Sequence, residues 1–445
     1  MTEILSYILG FLVLIMVITA VHEAGHFYIA KLFKVKILDF SIGMGKSIKS
    51  WIGKDDTSYN IRLLPIGGYV KMLGEDILEE NNSSDNASFA SKKYYQKVLI
   101  LFAGPFANFL LAILIFTILN LFGTTALSSK VGYILPDSQA SIANFQEGDI
   151  IQKVDGKDVE SRADVQMLLS RRLGDTGIIN FSVNSEGINM EKTIPIQNWL
   201  INEEPKDLLA DLGIGVPISS EIGDVIENSP ASDAGLLTGD VIKLINSKKI
   251  SSWGEIKDEI TNSVGMPLEV SIIRNGEEIS KSIIPRFSES GWIIGISSAN
   301  RISEDALFFK SYALHSAFTN ALIKTYSTIR DSFTFLYKML TGYVSPKNLG
   351  GPVMIGQFAG DTLLYGGIYS FLMLMSFVSI GLGVINLVPI PILDGGQICL
   401  LTIEKIKGSP LSPKTLDFLY RAGLSMVIFL MIFVFINDIS RLSGA

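Results

Sequence analysis

Residues 22–26 read His22-Glu23-Ala24-Gly25-His26 and end an apolar run that carries no charge from Ile4 to Val21. On a helix, positions four apart share a face, so both imidazoles can reach one ion. Neutral imidazole is a common zinc ligand, and a glutamate beside such a site can take a proton from an attacking water. The 18 uncharged residues before His22 are long enough to cross a bilayer. Ionisable groups near the end of a membrane helix are costly, and function is the usual reason they are kept. A metal site at membrane depth is the expectation. The competing reading is a polar cluster that reaches back to water.

Composition agrees with a membrane protein. Of 445 residues, 18% are charged and 48% hydrophobic, with a mean hydropathy of +0.38. A net charge of -7 gives a nucleic-acid role no support. One cysteine, Cys399, rules out an intrachain disulfide, and two of the three histidines belong to the motif. The start of the chain has Glu3 and no basic cluster, so a cleaved signal peptide is not expected.

Four membrane spans are expected: Ile4 to Ala30, Val98 to Gly123, one within Thr362 to Leu393, and Ala422 to Asn437. The second contains Gly104-Pro105 and Asn108. The fourth has 16 uncharged residues and relies on Arg421 and Asp438 snorkelling at its ends. Segment 31–97 carries eleven Lys/Arg, and 395–421 carries Lys405, Lys407, Lys414 and Arg421. The positive-inside rule puts both segments in the cytoplasm and both termini outside. Spans one and three then run in the same direction, and their C-terminal ends share the cytoplasmic side.

Within 31–97, Phe40 to Gly45 and Tyr59 to Leu73 read as short strands. Gly67-Gly68 supplies either their turn or a close backbone approach. The stretch is apolar for a loop, and a hairpin dipping into the membrane beside the metal helix is expected. Outside the membrane the chain repeats itself. Val131–Val165 placed over Ile222–Ile256, a shift of 91 residues, gives 10 identities in 35 positions without a gap. Gly148-Asp149 falls on Gly239-Asp240. Two copies of a small domain follow. The run Asn228 to Leu236 with Gly239-Asp240 resembles a bacterial PDZ domain. On that likeness Gly213, Ile214 and Gly215 would form the second copy's loop for a peptide carboxylate. No such loop precedes Val131. Phe308 to Met339 has helical apolar spacing and is expected on the outer membrane surface.

A catalytic zinc usually takes three protein ligands. The third must come from the side that holds His22 and His26. Span three ends Asn386-Leu387-Val388-Pro389-Ile390-Pro391-Ile392-Leu393-Asp394-Gly395-Gly396, which brings Asp394 to the cytoplasmic end. The prolines and the Gly pair break the helix and give that carboxylate room to turn inward.

The pair His22-Glu23-x-x-His26 and Asn386-x-x-Pro389-x-Pro391-x-Leu393-Asp394-Gly395-Gly396 resembles the site-2 protease family of intramembrane zinc metalloproteases. The tandem PDZ-like copies narrow the resemblance to its regulator of sigma-E protease group. Gly43-Met44-Gly45, Pro65 to Val70 and Gly350-Gly351-Pro352 fit the same group. Gln397 departs from it, since many relatives carry histidine there.

The resemblance implies one Zn²⁺ per chain on His22, His26 and Asp394, with Glu23 as base. Asn386, Gly67, Gly68, Pro389 and Pro391 would face substrate. Expected substrates are single-span membrane proteins in regulated intramembrane proteolysis, such as a trimmed anti-sigma factor of an envelope stress response, or remnant signal peptides. The expected location is a bacterial inner membrane, with periplasmic PDZ-like domains and the active site towards the cytoplasm. The expected fold is a polytopic α-helical membrane protein. It has four transmembrane helices, a cytoplasmic membrane-associated β-hairpin or sheet, and two inserted extracytoplasmic PDZ-like α/β domains. The domains fall at 1–123 (with the β region at 31–97), 124–205, 206–300, 301–361 (surface helix and linker) and 362–445. C-terminal peptides at the second PDZ-like copy are further partners. The alternative is a non-catalytic membrane scaffold with tandem peptide-binding PDZ domains, which dispensability of Glu23 and absence of zinc would favour.

Overall fold

Four helical stretches among the described residues are long and apolar enough to cross a membrane: Glu3–Leu32, Tyr94–Phe122, Pro346–Asn386 and Pro413–Arg441. The computed structural model describes residues 2–75, 86–201, 203, 207–250, 252–288 and 291–443. One unit comprises Met1–Thr124, Ser311–Met339 and Pro346–Ala445; the other comprises Thr125–Lys310 and Leu340–Ser345.

Helix α1 (Thr2–Leu32) carries the histidine motif. It stops where Lys34 adopts a φ of 57 and Val35 N–H closes onto the Ala30 carbonyl at 2.9 Å. Strands β1 (Ile37–Ile52) and β2 (Ser58–Met72) follow, and each bends back on itself. Phe40 pairs with Val70 on one side and Tyr59 on the other, while Tyr59 also pairs with Trp51. The sheet therefore has four rows, in the order 47–52, 58–62, 37–42 and 68–72. Gly43, Gly45 and Gly67 have positive φ, which only glycine adopts without strain. The hairpin turn is at 53–57, where Gly53 N–H meets the Thr57 carbonyl. Gly67-Gly68 is not that turn.

Helix α2 (Tyr94–Phe122) runs through Pro105. Helix α3 (Leu314–Leu340) buries Ala317, Ala321 and Thr325. Ala321 shares a core with Phe109, Phe116, Ile380 and Val384, and Asn120 Nδ2 donates to the Ala317 carbonyl at 3.0 Å. The expected helix is present, and one face of it packs on the bundle. Alanines four apart give it a face smooth enough for that approach. The third span is interrupted: α4 (Pro352–Asp361), a wide turn at Thr362–Gly366, then α5 (Gly367–Asn386). It ends seven residues earlier than the expected limit at Leu393. Pro389 restricts the residue before it and Pro391 offers no N–H, so the helix cannot continue. Helix α6 (Asp394–Lys407) restarts the chain.

Helix α7 (Pro413–Ser443) is twice the expected length. Asp438, expected to snorkel, is 2% exposed. Its carboxylate accepts from the N–H groups of Gly351, Val353 and Met354 at 2.9–3.1 Å and caps α4. This accounts for Gly350-Gly351-Pro352: a Cβ at Gly351 would strike Asp438 Oδ2 and Val434.

The second unit contains two four-stranded sheets of identical order. In chain order their strands start at Ile150, Lys157, Gly177 and Ile188, and at Val241, Lys248, Leu268 and Glu277. The first three pairs keep the 91-residue shift of the sequence repeat. Each Gly-Asp pair closes a turn with its carboxylate. Asp149 accepts from Gln146 N–H and pairs with Lys192 Nζ at 2.7 Å. Asp240 accepts from Leu237 N–H and pairs with Arg274 Nε at 2.7 Å.

Gly213, Ile214 and Gly215 belong to the first copy, not the second. Ile134 bridges Ile214, Gly215 N–H donates to the Tyr133 carbonyl, and Ala140 N–H donates to the Leu212 carbonyl. The matching contact in the second copy runs from Ala231 N–H to the Ile294 carbonyl. The loop thus follows the body of each copy, which is why none precedes Val131. The expected boundary at 205/206 lies outside the described residues.

Candidate metal centre

The α1 face that bears the motif lies against α2 because small residues let the two backbones meet. A Cβ at Gly25 would run into the Ala103 carbonyl, and one at Gly104 would overlap both imidazoles. His22 and His26 are each 7% exposed. Their Nε2 atoms are 3.2 Å apart. Asp394 Oδ2 lies 3.3 Å from His22 Nε2, and Oδ1 lies 3.6 Å from His26 Nε2. The aspartate is delivered by the break between α5 and α6. There Gly395 and Gly396 sit so close to the Leu387 and Ile390 carbonyls that no side chain fits.

The donor set fits a metal. Among the described residues this is the group of three or more His, Cys, Asp or Glu side chains whose ligand atoms converge, all within 4.8 Å. Asp394 Oδ2 is buried and makes no hydrogen bond. Two imidazoles and a carboxylate aimed at one point, with an oxygen left unsatisfied, form a set that a divalent cation completes. His26 Nδ1 donates to the Ile100 carbonyl at 2.8 Å, which leaves its Nε2 lone pair facing the cluster.

Glu23 is half-buried on the adjoining face. A Cβ at Gly68 would stand 2.8 Å from Glu23 Cγ, so the outermost sheet row passes directly over this side chain. Gly67 provides the bend beside Met44. Asn386 Nδ2 reaches within 3.5 Å of His22 Nε2 from the last turn of α5. Pro391 backs onto Gly396 and Gly423, and Pro389 is exposed on the connecting turn. His315 is exposed on α3, outside this cluster.

Three participants were not assigned from sequence: the Ile100 carbonyl, Gly104 and Asn108. Asn108 is fully buried, with its amide 3.2 Å from His22 Nδ1. An uncharged polar residue in an apolar run, one helical turn beyond a glycine, was the available signal.

The model of peptidase family M50 matches residues 10–430. The chain belongs to peptidase family M50. The M50 chain is 34% identical to the protease RseP of Yersinia pestis over 99% of this chain and 100% of that one. It is 32% identical to the regulator of sigma-E protease RseP of Escherichia coli over 97% and 98%. Among solved structures, the PDZ domain of an SdrC-like protein from Listeria innocua matches at 26% identity. That match covers 19% of this chain and 99% of that one, with a TM-score of 0.18.

Proposed function

We propose that this chain is an intramembrane zinc metallopeptidase that cuts the transmembrane segments of single-span membrane proteins. The observation carrying the proposal is the convergence of His22, His26 and Asp394 with Glu23 beside a sheet edge. The two Nε2 atoms and the Asp394 carboxylate would hold one Zn²⁺ and leave a coordination position open. The ion, when bound, would polarise a peptide carbonyl and acidify water. Glu23 takes the proton of the attacking water and passes it to the departing amide nitrogen. Asn386 offers an N–H donor where negative charge would develop on the carbonyl oxygen.

A helical substrate hides its peptide bonds in its own hydrogen bonds and must unwind before attack. The row at 68–72 would take the unwound segment as an added strand, with Gly67 and Gly68 keeping that backbone close to Glu23. Pro389 and Pro391 hold the turn that presents Asp394. The names of relatives speak only of regulating sigma-E; on the family resemblance, the substrate class we propose is an anti-sigma factor already trimmed outside the membrane, with remnant signal peptides as a second. The site would face the cytoplasm of an inner-membrane protein whose termini and PDZ-like copies are periplasmic. C-terminal peptides would add at Ile294–Ile296 of the second copy. In the first copy Arg162 donates to the Ile214 carbonyl at 3.0 Å, and Ile214 N–H is spent on Leu209.

The test is cleavage of a tagged single-span protein by the wild type and Glu23→Gln, with zinc measured on both. The proposal expects a loss of about 10²–10⁴-fold in the variant, with zinc retained. Equal activity would overturn the role of Glu23, and absence of zinc and of cleavage in the wild type would favour the scaffold.

A further inference from the structure

Both ligand histidines turn their second ring nitrogen towards α2. For His26 the partner is a carbonyl, which can only accept, so the ring proton is fixed on Nδ1. For His22 the partner is the side-chain amide of Asn108, at 3.2 Å and fully buried. With the amide nitrogen towards the ring, Nδ1 would accept. The single proton of the neutral ring would then sit on Nε2, the atom that faces Asp394, and block its lone pair. In that same orientation Asn108 Oδ1 is buried with no partner. Oxygen and nitrogen of an amide have the same shape, and the hydrogen-bond network decides which is which.

We infer that Asn108 turns Oδ1 to His22 and accepts from its Nδ1–H, which makes it the positioning residue of the first ligand. The two second ring nitrogens are then held alike, by acceptors at Ile100 and Asn108 on the buried face of α2. Gly104, between them, keeps the space that the rings fill. Ser379 Oγ donates to the Asn108 carbonyl at 2.9 Å and ties this turn of α2 to α5. The assignment gives Asn108 Oδ1 a partner in place of none, as the metal would for Asp394 Oδ2, and it rests on the zinc reading above.

The test uses the full-length chain in detergent. Zinc affinity is read by competition with a chromogenic chelator, and folding by the melting temperature of the metal-free protein. Asn108→Leu keeps the bulk and removes the acceptor; Asn108→Asp keeps an acceptor and removes the NH₂. Asn108→Leu is expected to bind zinc about 10–100-fold more weakly, with the metal-free protein melting as the wild type does. Asn108→Asp is expected to recover most of that loss. Wild-type affinity in Asn108→Leu overturns the assignment. So does Asn108→Asp binding as weakly as Asn108→Leu while still folding. Asn108→Ala carries the same expectation if the leucine variant does not fold. A wild type that binds no zinc overturns the metal reading itself, a result distinct from either.

Discussion

Glu23 meets the sheet through a gap that only glycine leaves at position 68. A methyl group there would stand 2.8 Å from both Glu23 Cγ and the Ser41 carbonyl, so either the carboxylate or the outer row must give way. Gly68→Ala is expected to lower peptidase kcat/KM by about 10–100-fold, because small displacements of a reacting group are expensive. Zinc content should stay at the wild-type level, since Gly68 touches no ligand; loss of zinc would show that the sheet supports the metal instead. The same residues mark how far sequence reading reaches. His22 and His26 are legible because four-residue spacing fixes their common face, Glu23 because it adjoins the first of them, and Asp394 because the prolines and glycines around it announce a broken helix. Asn108, Gly104 and the Ile100 carbonyl are not, because their roles depend on how α2 is rotated against α1. In so apolar a run, Gly104 and Asn108, one turn apart, give only a hint of that rotation.

At the scale of elements, the Gly-Asp turns explain why the repeat keeps those residues. Asp240 is 1% exposed. Burial pushes its carboxyl up, but the Arg274 guanidinium and the Leu237 N–H together outweigh this and hold it below the ordinary 3.8. A depressed native value means the turn's stabilisation is complete above the unfolded value and is lost as pH falls through the native one. Melting of the second unit should therefore be flat near neutrality and fall below about pH 4. Asp240→Asn should cost about 1–3 kcal/mol and flatten part of that acid dependence; an unchanged acid profile would assign the stability to other carboxylates. That the region holds two copies of one small domain was legible from its 91-residue register, and two sheets of identical order answer to it. The assignment of Leu212–Gly215 was not. Chain order suggested that the loop opens the second copy, whereas strand pairing with Tyr133 closes the first. Pairing partners this distant leave no mark on local sequence.

For the whole molecule, hydropathy located the four helices that, among the described residues, are long and apolar enough to cross a membrane, and charge in the loops set their expected direction. What it could not locate was the buried Asp438, because a carboxylate satisfied by three backbone N–H groups looks like a span-ending charge. The only cysteine offers a native reporter of direction: Cys399 is exposed on α6, just beyond Asp394. A membrane-impermeant maleimide should label it in inverted vesicles and not in spheroplasts, and the reverse pattern would turn the site to the outside. The central claim is the metal centre itself, and X-ray absorption at the zinc edge of the purified full-length chain tests it most directly. The expected result is about one zinc per chain with two imidazoles and one carboxylate, lost in Asp394→Ala. A zinc shell containing sulfur, or one unchanged by Asp394→Ala, would contradict it.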